Sequence, residues 1–308
     1  MKICHRIIPL VVFLFTTCLS LNAQNKTGID STGLPGDNFS LQGTLEMFQK
    51  AGSPEEFERL LNTQDNNVNN LDLNEDGEID FVRVIDKMDK DVHALVLQVA
   101  VSEKENQDIA VIEIEKTGPE SAMLQIIGDK DIYGEEVIVE PDGDAPGSYL
   151  QENTGNKNSG PNASLNNYEP NPYIIVNVWR WPSVRFIYAP AYRPWVSPWR
   201  WRYYPTWWHP WKPYAWHIWH PRHIHHHSFV VVHTHRVVRA HAIYKPVRVT
   251  SVAVRTRHSV AVNNYRVNRT RTTITGPGGH SASRTTTIVR GKKGKVRASK
   301  TTVKRRRG

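Results

Sequence analysis

Cysteine is nearly absent from this chain of 308 residues: it occurs only as Cys4 and Cys18. Both lie within residues 1–23, where a short basic stretch precedes an apolar run that begins at Ile7. That order is typical of a secretory signal, and the run is too short to span a bilayer comfortably. We therefore expect a signal peptide, removed after Ala23, and export to the periplasm, the outer envelope or the medium. The alternative is a retained membrane anchor.

The remaining chain of about 285 residues contains no cysteine. An exported protein without thiols has no disulfides, no thiolate metal ligands and no cysteine nucleophile. Such a chain is held together by a packed core or by bound ions. Its length is sufficient for one or two domains.

Acidic residues are absent from the chain after Glu169. All 30 Asp and Glu lie between Asp30 and Glu169. Residues 25–170 carry 10 Lys and Arg against these 30 acids, a formal charge of −20, whereas the rest of the exported chain carries 27 Lys and Arg and no acid. All ten Trp and 12 of the 14 His lie in that basic part. The chain therefore divides into an acidic head and a basic tail of opposite charge.

The acidic head, residues 40–140, is predicted to be a small α+β domain behind a polar leader, residues 24–39. Two short helices begin it. The first is SLQGTLEMFQKA, whose apolar residues share one helical face. The second is SPEEFERLLN, with Ser53 as N-cap, Pro54 at the first helical position and Glu56 closing a capping box.

Five β-rich runs follow the helices: DFVRVIDK, VHALVLQVAV, IAVIEIEK, SAMLQIIG and EEVIVE. The intervals between them are too short for crossover helices, so we expect an antiparallel meander. The run over residues 92–101 is apolar on both faces and is predicted as the central strand. In IAVIEIEK, alternation turns Ile112 and Ile114 inward and predicts that Glu113 and Glu115 face water. Helices on one face of this sheet give a compact domain.

Between the helices and the sheet, the stretch NNLDLNEDGEIDFVRVID crowds carboxylates and amides around one Asp-Gly pair. Its spacing puts oxygen side chains at loop positions 1, 3, 5 and 9, a glycine at position 6 and a backbone carbonyl at position 7. Calcium takes about six to eight oxygen ligands, and this spacing wraps them around one point. The candidate calcium ligands are Asp72, Asn74, Asp76, Glu78 and Asp80.

This loop resembles the calcium loops of EF-hand and dockerin modules, and the shorter loops of integrin-type propellers and thrombospondin repeats, in which a strand follows. The resemblance covers about nine residues and implies bound calcium in a structural role. It departs at position 12, where Arg83 replaces the usual acid, so a further ligand would be water, Asp86 or a distant carboxylate such as Asp65. The alternative is a hairpin turn at Asp76-Gly77. Both can hold at once, since a bound ion would stabilise that turn.

Residues 141–172 are rich in Gly, Asn, Pro and Ser and predict a flexible linker. Residues 173–228 interleave Trp, Tyr, Arg and His with frequent prolines, which exclude a continuous helix. This composition resembles Trp/Pro-rich cationic antimicrobial peptides, in which indoles settle among lipid headgroups and guanidinium groups pair with phosphates. The alternative is internal packing of the aromatics, because exposed Trp is costly.

The segment 173–228 is thus expected to bind an anionic surface, such as a membrane, lipopolysaccharide or another polyanion. The candidate binding residues are Trp179, Arg180, Trp181, Arg185, Trp199, Arg200, Trp201, Arg202, Trp207, Trp208, Trp211 and Lys212.

Histidines cluster at the end of this segment and just beyond it. Imidazole suits zinc, copper or nickel, but no Cys, Asp or Glu accompanies these residues, so the alternative is a basic, pH-sensitive stretch. The candidate ligands are His217, His220, His223, His225, His226, His227, His233 and His235. Residues 229–308 alternate apolar and basic residues and then repeat an Arg/Lys–Thr–Thr motif. They predict a basic low-complexity tail, largely irregular or partly β.

The sequence contains no nucleophile–base arrangement, Gly-rich phosphate loop or zinc-hydrolase motif, which disfavours an enzyme. The layout is similar to that of uncharacterised exported bacterial proteins that join a small acidic domain to a Trp/Pro/Arg-rich tail. This resemblance implies an architecture but no activity. We expect a non-catalytic envelope protein, with calcium in its head and its tail on an anionic surface. The alternatives are a homo-oligomer formed by head–tail charge pairing and histidine-based metal binding, and the signal segment disfavours nucleic acid as a partner.

Overall fold

The computed structural model describes residues 31–143, 145–152, 174–223, 228–265, 268–275, 281–290 and 296–306. The predicted signal peptide and most of the predicted linker lie outside these ranges. The helices are α1 (Leu41–Lys50), α2 (Pro54–Leu61), α3 (Lys130–Tyr133), α4 (Pro182–Ile187), α5 (Trp216–His223), α6 (Val238–Tyr244) and α7 (Val252–Tyr265). The strands are β1 (Val82–Asp89), β2 (Val92–Ala100), β3 (Asn106–Gly118), β4 (Ser121–Gly128), β5 (Val137–Pro141), β6 (Tyr149–Glu152), β7 (Ile174–Asn177), β8 (Phe229–Val232), β9 (Asn268–Thr275), β10 (Ser281–Arg290) and β11 (Val296–Arg306).

A six-stranded antiparallel sheet organises the head, in the order β1-β2-β3-β4-β5-β8. The first five strands form the expected meander, and with the helices they confirm the predicted α+β class. The sixth strand, β8, comes from the basic tail and pairs with β5, Val139 lying opposite Val231. Two smaller antiparallel sheets join β6 to β7 and β9 to β10 and β11. The tail therefore contributes one edge of the main sheet.

Helices α1 and α2 cover one face of the main sheet. The hydroxyl of Ser53 accepts a hydrogen bond from the backbone N–H of Glu56 at 3.1 Å, which is the predicted N-cap of α2. Phe48 of α1 and Phe57 of α2 meet edge to face at 5.2 Å, and both are fully buried. These rings pack on the apolar face of β1–β4 and form the larger core.

Trp181 extends this core from the basic tail. It immediately precedes α4, is 1% exposed, and packs edge to face against Phe48 at 6.4 Å and Phe229 at 6.3 Å. One indole thus joins α1 of the head to β8 of the tail.

The opposite face of the main sheet is covered by α6. Tyr244 of that helix packs against Ala94, Val96 and Val111. The expectation that Glu113 and Glu115 face water is wrong, because both side chains lie on this face and are buried beneath the tail.

Residues 173–228, which we call the Trp-rich segment, include a stretch that runs beside the free edge of β1. The backbone N–H of Asp86 donates to the carbonyl of Trp195 at 2.7 Å, and the N–H of Ser197 donates to the carbonyl of Val84 at 3.0 Å. An unpaired sheet edge is a template for pairing with other chains, so this contact protects β1 from aggregation. Among the described residues, the helices are all too short or too polar to traverse a bilayer.

Replacing Trp181 by Ala should lower the free energy of unfolding by about 3–5 kcal/mol, because a large side chain leaves a packed core. The matched control is Trp207→Ala, since Trp207 is 47% exposed and its loss should cost less than about 1 kcal/mol. Urea unfolding followed by circular dichroism measures both values. Equal costs for the two variants would contradict the placement of Trp181 in the core.

Candidate functional sites

Cations in the Trp-rich segment are free of acidic partners. Every Lys and Arg between residues 180 and 222 is exposed, and none forms an ion pair with a carboxylate of the described residues. They are Arg180, Arg185, Arg193, Arg200, Arg202, Lys212 and Arg222. Their charges are therefore available to an external anion.

The clearest cationic element is the Arg200 turn, which we define as residues 199–203. Backbone hydrogen bonds of 3.1 and 2.8 Å between Arg200 and Tyr203 close the turn. The guanidinium of Arg200 lies 5.2 Å from the ring centre of Tyr203, and that of Arg202 lies 5.5 Å from the ring of Trp201. Arg83 of β1 donates to the carbonyl of Trp199 at 3.0 Å and ties the turn to the sheet.

The predicted surface residues separate by burial. Trp181 and Trp208 are buried, as in the internal-packing alternative, and Trp208 packs edge to face on Phe81 at 5.1 Å. Trp207 is exposed. The half-buried tryptophans are Trp179, Trp199, Trp201 and Trp211. The predicted cations Arg180, Arg185, Arg200, Arg202 and Lys212 are all exposed. The segment thus uses some indoles as anchors and presents its cations outward.

Three cations beyond residue 228 are instead paired with carboxylates of the head. Arg236 pairs with Glu140, and the Nε atom of Arg239 lies 3.0 Å from Glu115. Arg248 reaches Asp129 at 2.7 Å. These pairs join the basic tail to the acidic head within one chain.

Glu58 of α2 holds the edge of β1 beside the Trp-rich segment. Its buried carboxylate accepts a hydrogen bond from the backbone N–H of Val84 at 2.7 Å. Burial raises the pKa of Glu58 to about 7, against the hydrogen bond from Val84, which lowers it.

The candidate calcium loop is closed by its own side chains. Asp72 accepts from the N–H of Asp76 at 3.1 Å and from that of Gly77 at 2.9 Å. Asn74 accepts from the N–H of Asp76 at 2.9 Å, and Asp76 accepts from that of Glu78 at 2.9 Å. Gly77 has φ +86°, the left-handed conformation that favours glycine at the sharp turn. The loop therefore draws its first three predicted ligands together.

Asp80, at loop position 9, binds the backbone of the loop. It is buried and accepts from the N–H of Leu73 at 2.6 Å. Burial raises the pKa of Asp80 to about 8, with Asp72 and Asp76 raising it further by repulsion. Glu78 is exposed, and its backbone N–H is the one that Asp76 accepts from.

Arg83, at loop position 12, and the two proposed additional ligands, Asp86 and Asp65, have other surroundings. Arg83 contacts Gln98 on β2 rather than the loop. Asp86 is buried, accepting from Tyr192 at 2.7 Å and meeting His93 at 2.8 Å. Asp65 is exposed in a short turn after α2.

Among the predicted histidine ligands that the structure describes, His217 and His233 are exposed, and the ring centre of His220 lies 4.7 Å from that of Trp216. His235 lies under α6. The side chain of His223 and the whole of His225, His226 and His227 lie outside the described residues.

A cluster that sequence spacing did not indicate joins His235 to Glu113 of β3 and His241 of α6. We refer to these three residues as the Glu113 cluster. Burial lowers the pKa of His235 and of His241, and burial raises the pKa of Glu113 to about 9. His235 was a predicted ligand, but Glu113 was expected on an exposed face and His241 stood outside the histidine-rich run. The 128 residues that separate Glu113 from His241 left no local signal.

Comparisons with known proteins gave no match: no family model matches this chain, and neither the curated proteins nor the solved structures yielded one. The geometry and chemistry of the residues above therefore carry the functional inference.

Glu58→Gln should flatten the pH dependence of stability between about pH 5 and 7. Glu58 holds its proton more tightly in the folded state, so its stabilising contribution is fully present below its ordinary pKa of 4.5 and is lost as pH rises through about 7. We expect the wild type to lose about 2 kcal/mol more than the variant across this range. Urea unfolding at several pH values measures it, with exposed Glu55→Gln as the control. A variant with the wild-type slope would contradict the shifted pKa.

Proposed function

We propose that this chain is a non-catalytic, exported envelope protein that binds an anionic surface through the Arg200 turn and the other exposed cations between residues 180 and 222. The observation that carries the proposal is the division of positive charge. Arg236, Arg239 and Arg248 are paired with head carboxylates, whereas all seven cations between residues 180 and 222 are exposed and have no carboxylate partner among the described residues.

The chemistry of the Arg200 turn suits a phosphate-rich surface. Guanidinium groups bind phosphate oxygens bidentately, and indole and phenol rings favour the headgroup region of a membrane. Arg200 and Arg202 each lie over an aromatic ring, so both kinds of group are presented together. Anchoring by Arg83 limits the conformational entropy lost on binding.

The C-terminal region adds a second source of positive charge. From Arg266 to the end the chain carries 14 Lys and Arg and no Asp or Glu. Its described backbone forms the antiparallel sheet β9-β10-β11. Such a segment supports attraction to a membrane, to lipopolysaccharide or to another polyanion.

Self-association through head–tail charge pairing is the second candidate. The ion pairs of Arg239 with Glu115 and of Arg248 with Asp129 favour it. In the structure these pairs close within one chain. Association of copies would therefore exchange the segment after residue 228 between neighbours, as in domain swapping.

We further propose that calcium stabilises the head at the Asp72–Asp80 loop. The convergence of Asp72, Asn74 and Asp76 on the turn supports this. The pKa of Asp72 and of Asp80 is raised chiefly by burial, and repulsion from neighbouring loop carboxylates raises both further. A divalent cation would relieve that repulsion. The arginine at loop position 12 favours weak affinity, in the millimolar range of about 10⁻⁴–10⁻³ M that extracellular modules show.

Vesicle binding tests the surface proposal. Replacing Arg200, Arg202 and Lys212 by Gln in the full chain should weaken co-sedimentation with anionic vesicles by about tenfold or more, since each cation near such a surface contributes about 1 kcal/mol. The matched control replaces three exposed cations elsewhere, Lys104→Gln, Lys130→Gln and Arg255→Gln.

The control should stay within about threefold of the wild type, because it removes the same net charge from outside the turn. Equal loss in both variants would show that net charge alone matters and would overturn the role of the Arg200 turn. Binding to neutral and anionic vesicles alike, unchanged by salt, would overturn surface binding itself.

Calcium at about 1–10 mM should raise the melting temperature of the wild type, because a ligand that binds only the folded state stabilises it. Asp76→Asn should abolish this rise, and Glu55→Gln on α2 should retain it. Differential scanning calorimetry measures the three proteins, with magnesium as the control for ionic strength. A calcium effect that survives Asp76→Asn would place the bound ion elsewhere.

A further inference from the structure

Glu113 is buried at the middle of β3 without a Lys or Arg contact among the described residues. Each of its carboxylate oxygens meets an imidazole instead. Oε2 lies 2.7 Å from Nε2 of His235, and Oε1 lies 2.9 Å from Nδ1 of His241. A buried carboxylate is costly unless it is paired or bound to a metal. The three side chains form a small polar site beneath the tail.

The ligand atoms of the Glu113 cluster lie close together. The candidate carboxylate oxygen and the two ring nitrogens all lie within 4.8 Å of one another. The rings of His235 and His241 are 4.4 Å apart and perpendicular, at 89°. Their side chains are 26% and 22% exposed, so one side of the site opens to solvent. A metal ion could enter there and keep a water ligand.

Neighbouring residues hold both histidines in place. Gln125, opposite Glu113 on β4, donates to the carbonyl of Thr234 at 3.0 Å and accepts from the N–H of Arg236 at 2.8 Å. Both bonds fix the backbone on either side of His235. Metal sites depend on such supporting contacts as much as on the ligands themselves.

Glu115 positions the helix that carries His241. Its Oε1 accepts from the backbone N–H of Arg239 at 2.6 Å and of Ala240 at 3.2 Å. Free N–H groups at the start of a helix need acceptors, and α6 has no side-chain N-cap of its own. A strand carboxylate therefore caps α6 and sets its orientation over the sheet.

Charged groups of both signs surround the cluster, since Arg236 and Arg239 pair with Glu140 and Glu115 beside it. Glu115 and the exposed Glu136 both act on the charge of Glu113, and Glu136 acts on His235 and His241 as well. Lys245, on the tail side, is the cation that acts on His241. The charge available to a divalent cation is therefore that of Glu113 itself, which forms no ion pair with Lys or Arg among the described residues.

We propose that Glu113, His235 and His241 bind Zn²⁺, with water as the fourth ligand. Two imidazoles and one carboxylate without thiolate suit zinc, whereas calcium and magnesium require oxygen ligands. The ion would separate oxygens and nitrogens that now touch, so that each lies about 2.0–2.2 Å from the metal. It would cross-link β3 of the head to the segment before and within α6. This site goes beyond surface binding and stands independently of it.

Isothermal titration of the full-length protein with Zn²⁺ tests the site. Other histidines would add weak binding. The reference is therefore a variant in which the other predicted histidine ligands are changed to Gln. These are His217, His220, His223, His225, His226, His227 and His233. The reference should bind one equivalent of zinc, and zinc should raise its melting temperature.

Glu113→Gln in that reference should weaken zinc binding by at least about a hundredfold, because it removes a charged ligand while keeping the side-chain volume. His241→Gln should do the same, and serves if Glu113→Gln fails to fold by circular dichroism. The matched control is His258→Gln, a half-buried histidine of α7 outside the cluster, which should bind like the reference.

X-ray absorption of the zinc-loaded reference should show two imidazole nitrogens and light oxygen ligands. Absence of stoichiometric binding in the reference would overturn the site. Undiminished binding in both Glu113→Gln and His241→Gln would overturn it equally. Neither result bears on vesicle binding, so the two proposals fail separately.

Discussion

Buried carboxylates on one face of the main sheet impose the constraint on which the rest of the structure depends. Glu113, Glu115 and Asp108 are withdrawn from water, and each needs hydrogen-bond or ionic partners to remain there. The tail supplies partners to all three. Asp108, for instance, accepts from the N–H of Val249 at 2.8 Å. The basic segment after residue 228 is therefore part of the folded head rather than an appendage to it.

As a result, the tail contains two kinds of cation, those paired with the head and those exposed to solvent. Three arginines after residue 228, Arg236, Arg239 and Arg248, pair with head carboxylates, and helix α6 covers apolar residues on the same face of the sheet. Cations of the Trp-rich segment remain outside, because that segment lies along the edge of β1 and turns only some indoles inward. Trp181 and Trp208 anchor the chain, and the Arg200 turn is left facing solvent. Buried indoles and exposed cations thus alternate along one stretch of sequence.

Local rules predicted much of the head. The N-cap at Ser53, the meander and the closed turn at Gly77 depend on residues near one another in sequence, so patterns reveal them. The same rules failed at Glu113 and Glu115. Alternation shows which residues share a face of a strand, but it does not show what covers that face. Helix α6, more than a hundred residues further along the chain, buries both glutamates and brings His241 to Glu113.

The sequence by itself determined the separation of charge, the types and order of the head's elements, and the spacing of oxygen side chains around Gly77. These are properties of composition and of neighbours a few residues apart. Only the tertiary structure decided which carboxylates are buried, which arginines are paired and which indoles lie inside. Each of those outcomes follows from surfaces that meet across more than a hundred residues, where many weak contacts are summed and no local pattern records the partner.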